Sequence, residues 1–290
     1  MKLRSLLVVL TMLIAAAIVS IAPIAQHLYN DSATHATAAS YVQAHSRPSI
    51  AEPHPSLTAA HAYNKGLPAK LLQDPWGENQ HNSGTDYDHY LSLMADTPTM
   101  ATLTIPALDA HLPIVHGTSD EALLNGVGHF YGSHLPVGGP GTHAVLAGHH
   151  TWPGHTYFSH LENLKEGDRI HINAYGENLT YGVVETHLVY PDDLTKIQPQ
   201  AGRDLLTLVT CITPEGGQLN EYRLLVTAER IDDAGAAPIA TPHVPSIHVQ
   251  AWMYPRIITA GIALTLALGF TAIWISRKNQ RSAKQSKESA

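Results

Sequence analysis

Two long uncharged runs bracket the chain, and between them the apolar positions come in short pulses of strand length. Leu6 to Ala25, LLVVLTMLIAAAIVSIAPIA, carries no charge over 20 residues, and Ile257 to Ile275, IITAGIALTLALGFTAIWI, repeats the pattern near the other end. About 20 apolar residues in a helix span a bilayer. The first run follows Lys2 and Arg4 and is longer than the apolar region of a cleaved leader, and Pro23 close to Ala25 suits a cleavage site poorly, so an uncleaved anchor is expected. Trp252, Tyr254 and Trp274 flank the second run where aromatic rings favour the membrane interface.

Between the runs, Thr102–Pro106 and His111–Val115 read as strands that their prolines place at a sheet edge. Asp120–Gly126 reads as a short helix capped by Thr118 or Ser119. Thr142–His150 is a strand, Phe158–Leu164 a short helix, and Arg169–Tyr175 with Leu179–Val184 a hairpin about Gly176-Glu177-Asn178, its second run continuing through His187–Tyr190. Leu205–Thr210 and Tyr222–Ala228 close the series. About eight short strands with little helix predict a mostly β domain, a closed or nearly closed barrel. Residues 26–60, rich in Ala, Ser, Thr, His and Pro, show no apolar period and predict a flexible stalk.

Charge sharpens the topology. Arg277, Lys278, Arg281, Lys284 and Lys287 follow the second span, so the positive-inside rule puts both termini in the cytoplasm and the middle outside. That middle, residues 26–251, holds 9 Lys and Arg against 23 Asp and Glu, a formal balance of −14, which disfavours nucleic acid as a partner. All 20 histidines lie there too. His149, His150, His155 and His160 lack the paired spacing of a helical zinc site, and only one cysteine exists to help, so no metal or cofactor is expected.

That cysteine, Cys211, ends the apolar run Leu205–Thr210 and precedes the turn residues Pro214-Glu215-Gly216-Gly217. An unpaired thiol outside the cell is open to oxidation, so it is either buried and inert or retained for its reactivity. Paired as a hairpin, the two last strands would set Arg223 on the same rim. A histidine favours the thiolate and an arginine can stabilise the oxyanion of an attacked carbonyl, which is sufficient for acyl transfer. Spacing does not select one histidine among twenty.

Leu146-Ala147-Gly148-His149, Thr207-Leu208-Val209-Thr210-Cys211 and Asn220-Glu221-Tyr222-Arg223 resemble the three signature motifs of sortases. The resemblance covers about Tyr63 to Ile231. Ile114–Ser119, Gly126–His129 and Ser133–Gly139 look like class C, the pilin-polymerising group, Asp74-Pro75-Trp76 resembles that class's lid, and the second span fits it. The resemblance implies a sortase-type barrel flanked by two transmembrane helices, with Cys211 as nucleophile, His149 as general acid/base and Arg223 as oxyanion and substrate-positioning group. It implies pilin subunits as partners: an LPXTG-like sorting signal is cut at Thr-Gly, and an acceptor lysine of the next subunit resolves the thioacyl enzyme. The Cys211–Arg223 loop departs from the family pattern, with Ile212 inserted and Glu215 in place of an aromatic, which bears on specificity. A hydrolytic cysteine peptidase would use the same Cys and His but finish with water. A non-enzymatic, His-rich surface protein binding metal or a partner would have no use for the arginine motif.

The expected organisation is therefore an anchor at 1–25, a stalk at 26–60, and a helical region at 61–100 with the lid loop at 74–77. A catalytic barrel at 101–232, a linker at 233–251, a second span at 252–276 and a basic cytoplasmic tail at 277–290 follow.

Overall fold

The computed structural model describes residues 3–46, 53–67, 83–150, 152, 154–213, 221–231 and 249–288. They fall into two compact units, Met1–Asn30 with Ile247–Ala290, and Asp31–Ser246. The first unit holds the beginning of α1 (Leu3–Ala44) and α5 (Met253–Glu288). Both helices are long and apolar enough to cross a membrane. Side chains such as Met12, Val19 and Leu268 are exposed instead of packed inward, as suits a lipid solvent. The two helices meet through small residues, Ala17 against Ala260 and Ala263, with Leu13 alongside. The His27 ring meets Trp252 edge-on at 5.5 Å.

The second unit is a closed eight-stranded barrel. Its strands are β1 (Ala101–Ile105), β2 (Ala110–His116), β3 (Val127–His129), β4 (His143–Ala147), β5 (Arg169–Ala174), β6 (Glu177–Val189), β7 (Leu205–Ile212) and β8 (Tyr222–Arg230). They are ordered β1-β2-β3-β4-β7-β8-β6-β5 and back to β1. Six of the neighbouring pairs are antiparallel, while β2 with β3 and β4 with β7 run parallel. Two helices, α2 (Pro55–Gly66) and α3 (Thr85–Ser92), precede β1, and α4 (Asp120–Asn125) lies between β2 and β3. Ser119 caps α4, its hydroxyl accepting from the Ala122 N–H at 3.2 Å.

Patterning explains the layers. β5 alternates buried and less buried positions, one face inward. In β4 every residue is buried, as is β7 from Leu205 to Thr210, and this is why they read as continuous apolar runs: both of their faces are covered. Leu146, Leu206, Leu208, Leu224 and Val226 point into the main core. Val145, Val209 and Leu225 point the other way, into a smaller outer cluster with Phe130, Val189 and Ile197.

Four expectations change. Closure leaves β1 and β2 with a partner on both sides, so neither is an edge strand; Pro113 is tolerated because it sits just ahead of the first parallel pair, Ile114 with Val127. The β5–β6 turn is tighter than expected, with Ala174 opposite Glu177 and only Tyr175 and Gly176, both at positive φ, between them. Phe158–Leu164 contains a single 3₁₀ turn, Leu161–Asn163. Residues 26–44, expected within a flexible stalk, continue α1 as helix, and α2 begins at Pro55. From Asp31 to Tyr41 that helix turns Asp31, Thr34, His35, Ala38 and Tyr41 toward the barrel at three- and four-residue spacing. The stripe is polar and small, so no hydrophobic period betrays it. Tyr41 fixes it, its hydroxyl donating to the Met100 carbonyl at 2.8 Å and accepting the Tyr175 N–H at 3.0 Å.

Candidate active site

Strand alternation places the candidate residues on the outer face of β4, β7 and β8. On β7, Thr207, Val209 and Cys211 share one parity, and Thr227, Leu225 and Arg223 are their cross-strand partners on β8. The lowest layer is a polar chain: His143 Nε2 lies 2.7 Å from the Thr207 hydroxyl, which lies 2.9 Å from that of Thr227. Above it sits the apolar layer of Val145, Val209 and Leu225. Cys211 and Arg223 follow, directly opposite each other at the open end.

β4 rises in step with β7, ending with Ala147 beside Val209. The Gly148 N–H donates to the Val209 carbonyl at 3.0 Å, and the Thr210 hydroxyl donates to the Gly148 carbonyl at 2.7 Å. One residue further, the same register brings His149 to the height of Cys211, on the same face by parity, with neighbouring strands about 5 Å apart. Three strand ends thus carry His149, Cys211 and Arg223 in adjacent columns.

Gly148 is required by its neighbour. A Cβ there would lie 2.8 Å from Phe158 Cδ2, and Phe158 is fully buried. The Phe158 N–H in turn donates to the His149 carbonyl at 3.1 Å. The His149 ring stacks on Trp152 at 4.4 Å between centroids and 19° between planes. Its Nε2 is buried and has no hydrogen-bond partner among the described residues. Burial holds its pKa below the usual 6.5; the charge of Asp120 opposes this and that of His155 adds to it. The resting imidazole is therefore neutral at pH 7 and able to accept a proton. His150 is engaged elsewhere, its Nε2 lying 3.2 Å from Glu162 Oε2.

Arg223 is only 6% exposed, and its Nη1 donates to the Tyr222 carbonyl at 3.4 Å. Cys211 is partly exposed. Beside them Tyr190 and Tyr222 form a rim pair, hydroxyls 3.1 Å apart, and this hydrogen bond pushes the Tyr222 phenol up to about 12. Asp74, Pro75 and Trp76, and Glu215 of the Cys211–Arg223 loop, lie outside the described residues. Thr210, Trp152 and Phe158 each touch the Gly148-His149 unit, Thr210 from a strand 62 residues further along the chain, and of the three only Thr210, next to the cysteine, has a sequence position that marks it.

Residues 103–231 match the sortase domain family. The crystal structure of sortase C-1 from Actinomyces oris is 39% identical at TM-score 0.57, covering 61% of this chain and 97% of that one. The chain belongs to the sortase family. Sortase A from Corynebacterium diphtheriae is 37% identical at TM-score 0.60, covering 76% of this chain and 97% of that one. Sortase D of Bacillus subtilis is 38% identical over 110 residues, 38% of this chain and 52% of that protein. Sortase A of Streptococcus agalactiae is 32% identical over 136 residues, 46% of this chain and 53% of that protein. The chain thus spans about half the length of these two relatives. Sortases named A and C stand at similar identity to it, so the family is established at a coarser level than the class C resemblance of its motifs.

Proposed function

We propose that this sortase is a membrane-anchored cysteine transpeptidase in which Cys211 is the nucleophile, His149 the general acid/base and Arg223 the oxyanion donor. The supporting observation is the cross-strand pairing of Cys211 with Arg223, with His149 two residues past Ala147, the last β4 residue paired with β7, and of the same parity. His149 takes the thiol proton as sulfur attacks the carbonyl carbon of the Thr-Gly bond in an LPXTG-like sorting signal. The developing oxyanion faces the Arg223 guanidinium, whose planar set of donors suits it. Collapse breaks the C–N bond, His149 returns the proton to the departing glycine amine, and a thioester to Cys211 remains. An incoming lysine amine attacks that thioester, His149 accepts its proton, and the Cys211 thiolate leaves with the isopeptide bond formed.

Pilin subunits as signal donor and lysine acceptor fit the class C motifs, and one sortase C similar to this chain is described as pilus-related, from Group B Streptococcus, at 32% identity. The Asp74-Pro75-Trp76 segment would act as a lid over Cys211, and both termini would be cytoplasmic with the barrel outside. The test incubates the detergent-solubilised full chain with an LPXTG-like peptide and either a lysine-bearing pilin segment or a small α-amine, with products identified by mass spectrometry. An isopeptide to the pilin lysine is the expected result. Transfer only to the α-amine overturns pilin polymerisation, release of free acid alone indicates a hydrolase, and cleavage that persists in Cys211→Ala overturns the nucleophile assignment.

A further inference from the structure

The segment from His149 to Phe158 is closed on itself at its base and tied from outside by an acidic side chain far away in sequence. Phe158 N–H binds the His149 carbonyl, Trp152 stacks on His149, and His155 stacks on Tyr157 at 4.7 Å and 5°. Between His155 and Tyr157 sits Thr156. Both of its donors go to one carboxylate: its N–H donates to Asp31 Oδ1 at 2.9 Å and its hydroxyl to Asp31 Oδ2. Two bonds from one residue to the two oxygens of a carboxylate fix orientation as well as distance. Asp31 is itself anchored, because ten residues on, the same helix is pinned by Tyr41 to Met100 and Tyr175. Among the described residues the segment is also held by Tyr157, whose hydroxyl donates to the Leu124 carbonyl at 2.6 Å, by His150 against Glu162, and by the rings of Tyr157 and Phe158 buried in the main core.

We infer that Asp31 is a positioning residue for His149, so that the N-terminal helix beyond the apolar run completes the active site instead of serving as a tether. Asp31 is not itself assigned a step in the chemistry. It acts by holding Thr156, and through Thr156 the loop whose Phe158 and Trp152 set the height and tilt of the imidazole. Acyl transfer is sensitive to such placement: an error of about 1 Å in a catalytic group can cost about 100-fold in rate. The tie acts on the placement of the histidine and not on a substrate contact, so the loss belongs in kcat. A sortase fragment that starts after Asp31 would lose this tie.

The inference rests on the assignment of His149 as acid/base, and the experiment keeps the two apart. In the full chain in detergent, Asp31→Ala, Thr156→Val and Thr156→Ser are compared with wild type for cleavage of an LPXTG-like peptide, with the exposed-helix variant Ser40→Ala as control. Asp31→Ala is expected to lower kcat about 10- to 100-fold with KM within about twofold. Thr156→Val, which keeps the N–H bond, should fall between, while Thr156→Ser, which keeps both bonds, and Ser40→Ala should match wild type. Unchanged kcat in Asp31→Ala, or an equal loss in Thr156→Ser and Thr156→Val, overturns the inference. An independent arm follows the His149 ring by NMR in histidine-labelled protein, assigned with His149→Ala. Loosened packing should shift its signals in Asp31→Ala and move its titration toward 6.5, whereas coincident signals overturn the inference even if no peptide is cleaved. If wild type and Cys211→Ala are equally inert toward every peptide and amine, the transpeptidase proposal fails, and the ring signals alone decide the role of Asp31.

Discussion

Gly148→Ala tests how the histidine is placed. The added Cβ would meet Phe158 Cδ2 at 2.8 Å and Cε2 and Cγ at 3.1 Å, where ordinary contact begins near 3.4 Å, so something must move by about 0.6 Å. Phe158 cannot simply swing away, since its ring is fully buried in the main core and its N–H holds the His149 carbonyl. Overpacking of this kind costs about 1–3 kcal/mol. For a unit of about 200 residues that corresponds to a fall in Tm of roughly 2–12 °C. The displacement is passed to His149, the next residue, so kcat should fall further than the stability loss explains, by about 10- to 100-fold. Thermal unfolding and peptide cleavage at a temperature well below both melting points separate the two effects. Phe158→Leu in the Gly148→Ala background removes ring atoms from the clash and should restore part of the activity. A Gly148→Ala protein with wild-type Tm and wild-type kcat would refute the close-approach reasoning.

His149→Ala should remove cleavage while His150→Ala retains most of it, since His150 is paired with Glu162; the reverse result in the peptide assay would move the acid/base role by one residue. Arg223→Lys keeps the charge but loses the planar fork, and a fall of about 10- to 1,000-fold in kcat is expected, with near-normal turnover refuting the donor role. Trp76→Ala should speed alkylation of Cys211 by a small thiol reagent if the lid covers it, and equal rates would refute the lid. Acid should destabilise the barrel early. Burial lowers His129 to about 3 and His143 to about 4, and lowers His116 and His134 in the same direction. Such histidines take up protons on unfolding, so stability is present above about 6.5 and lost as pH falls toward their folded values. Tm measured from pH 7 to 4.5 should fall steadily, less so in His143→Asn, and a flat profile would count against the burial of these rings.

Much of this protein is written in short-range pattern. Two uncharged runs of membrane length, the period-2 strands and the capped Asp120 turn are local, and local chemistry decides them. The β7–β8 hairpin could be read from two neighbouring apolar runs, and with it the pairing of Cys211 and Arg223. The parallel β4–β7 pairing could not: it joins segments some 60 residues apart, and nothing in either run records the other, so the selection of His149 among twenty histidines came from family motifs alone. The tertiary structure also decided which faces are covered, making continuous apolar strands of β4 and β7 and removing the edges that the prolines suggested. Residues 31–44 show the limit most clearly. Their stripe of half-buried Asp31 and Thr34 and buried His35, Ala38 and Tyr41 follows the helical period with polar and small side chains, and the surface it docks on offers Thr156, Met100 and Tyr175 as hydrogen-bond partners. A pattern of hydrogen-bond complementarity exists only once both surfaces are folded, so a sequence read for hydrophobic periodicity sees a stalk where the fold has a strut.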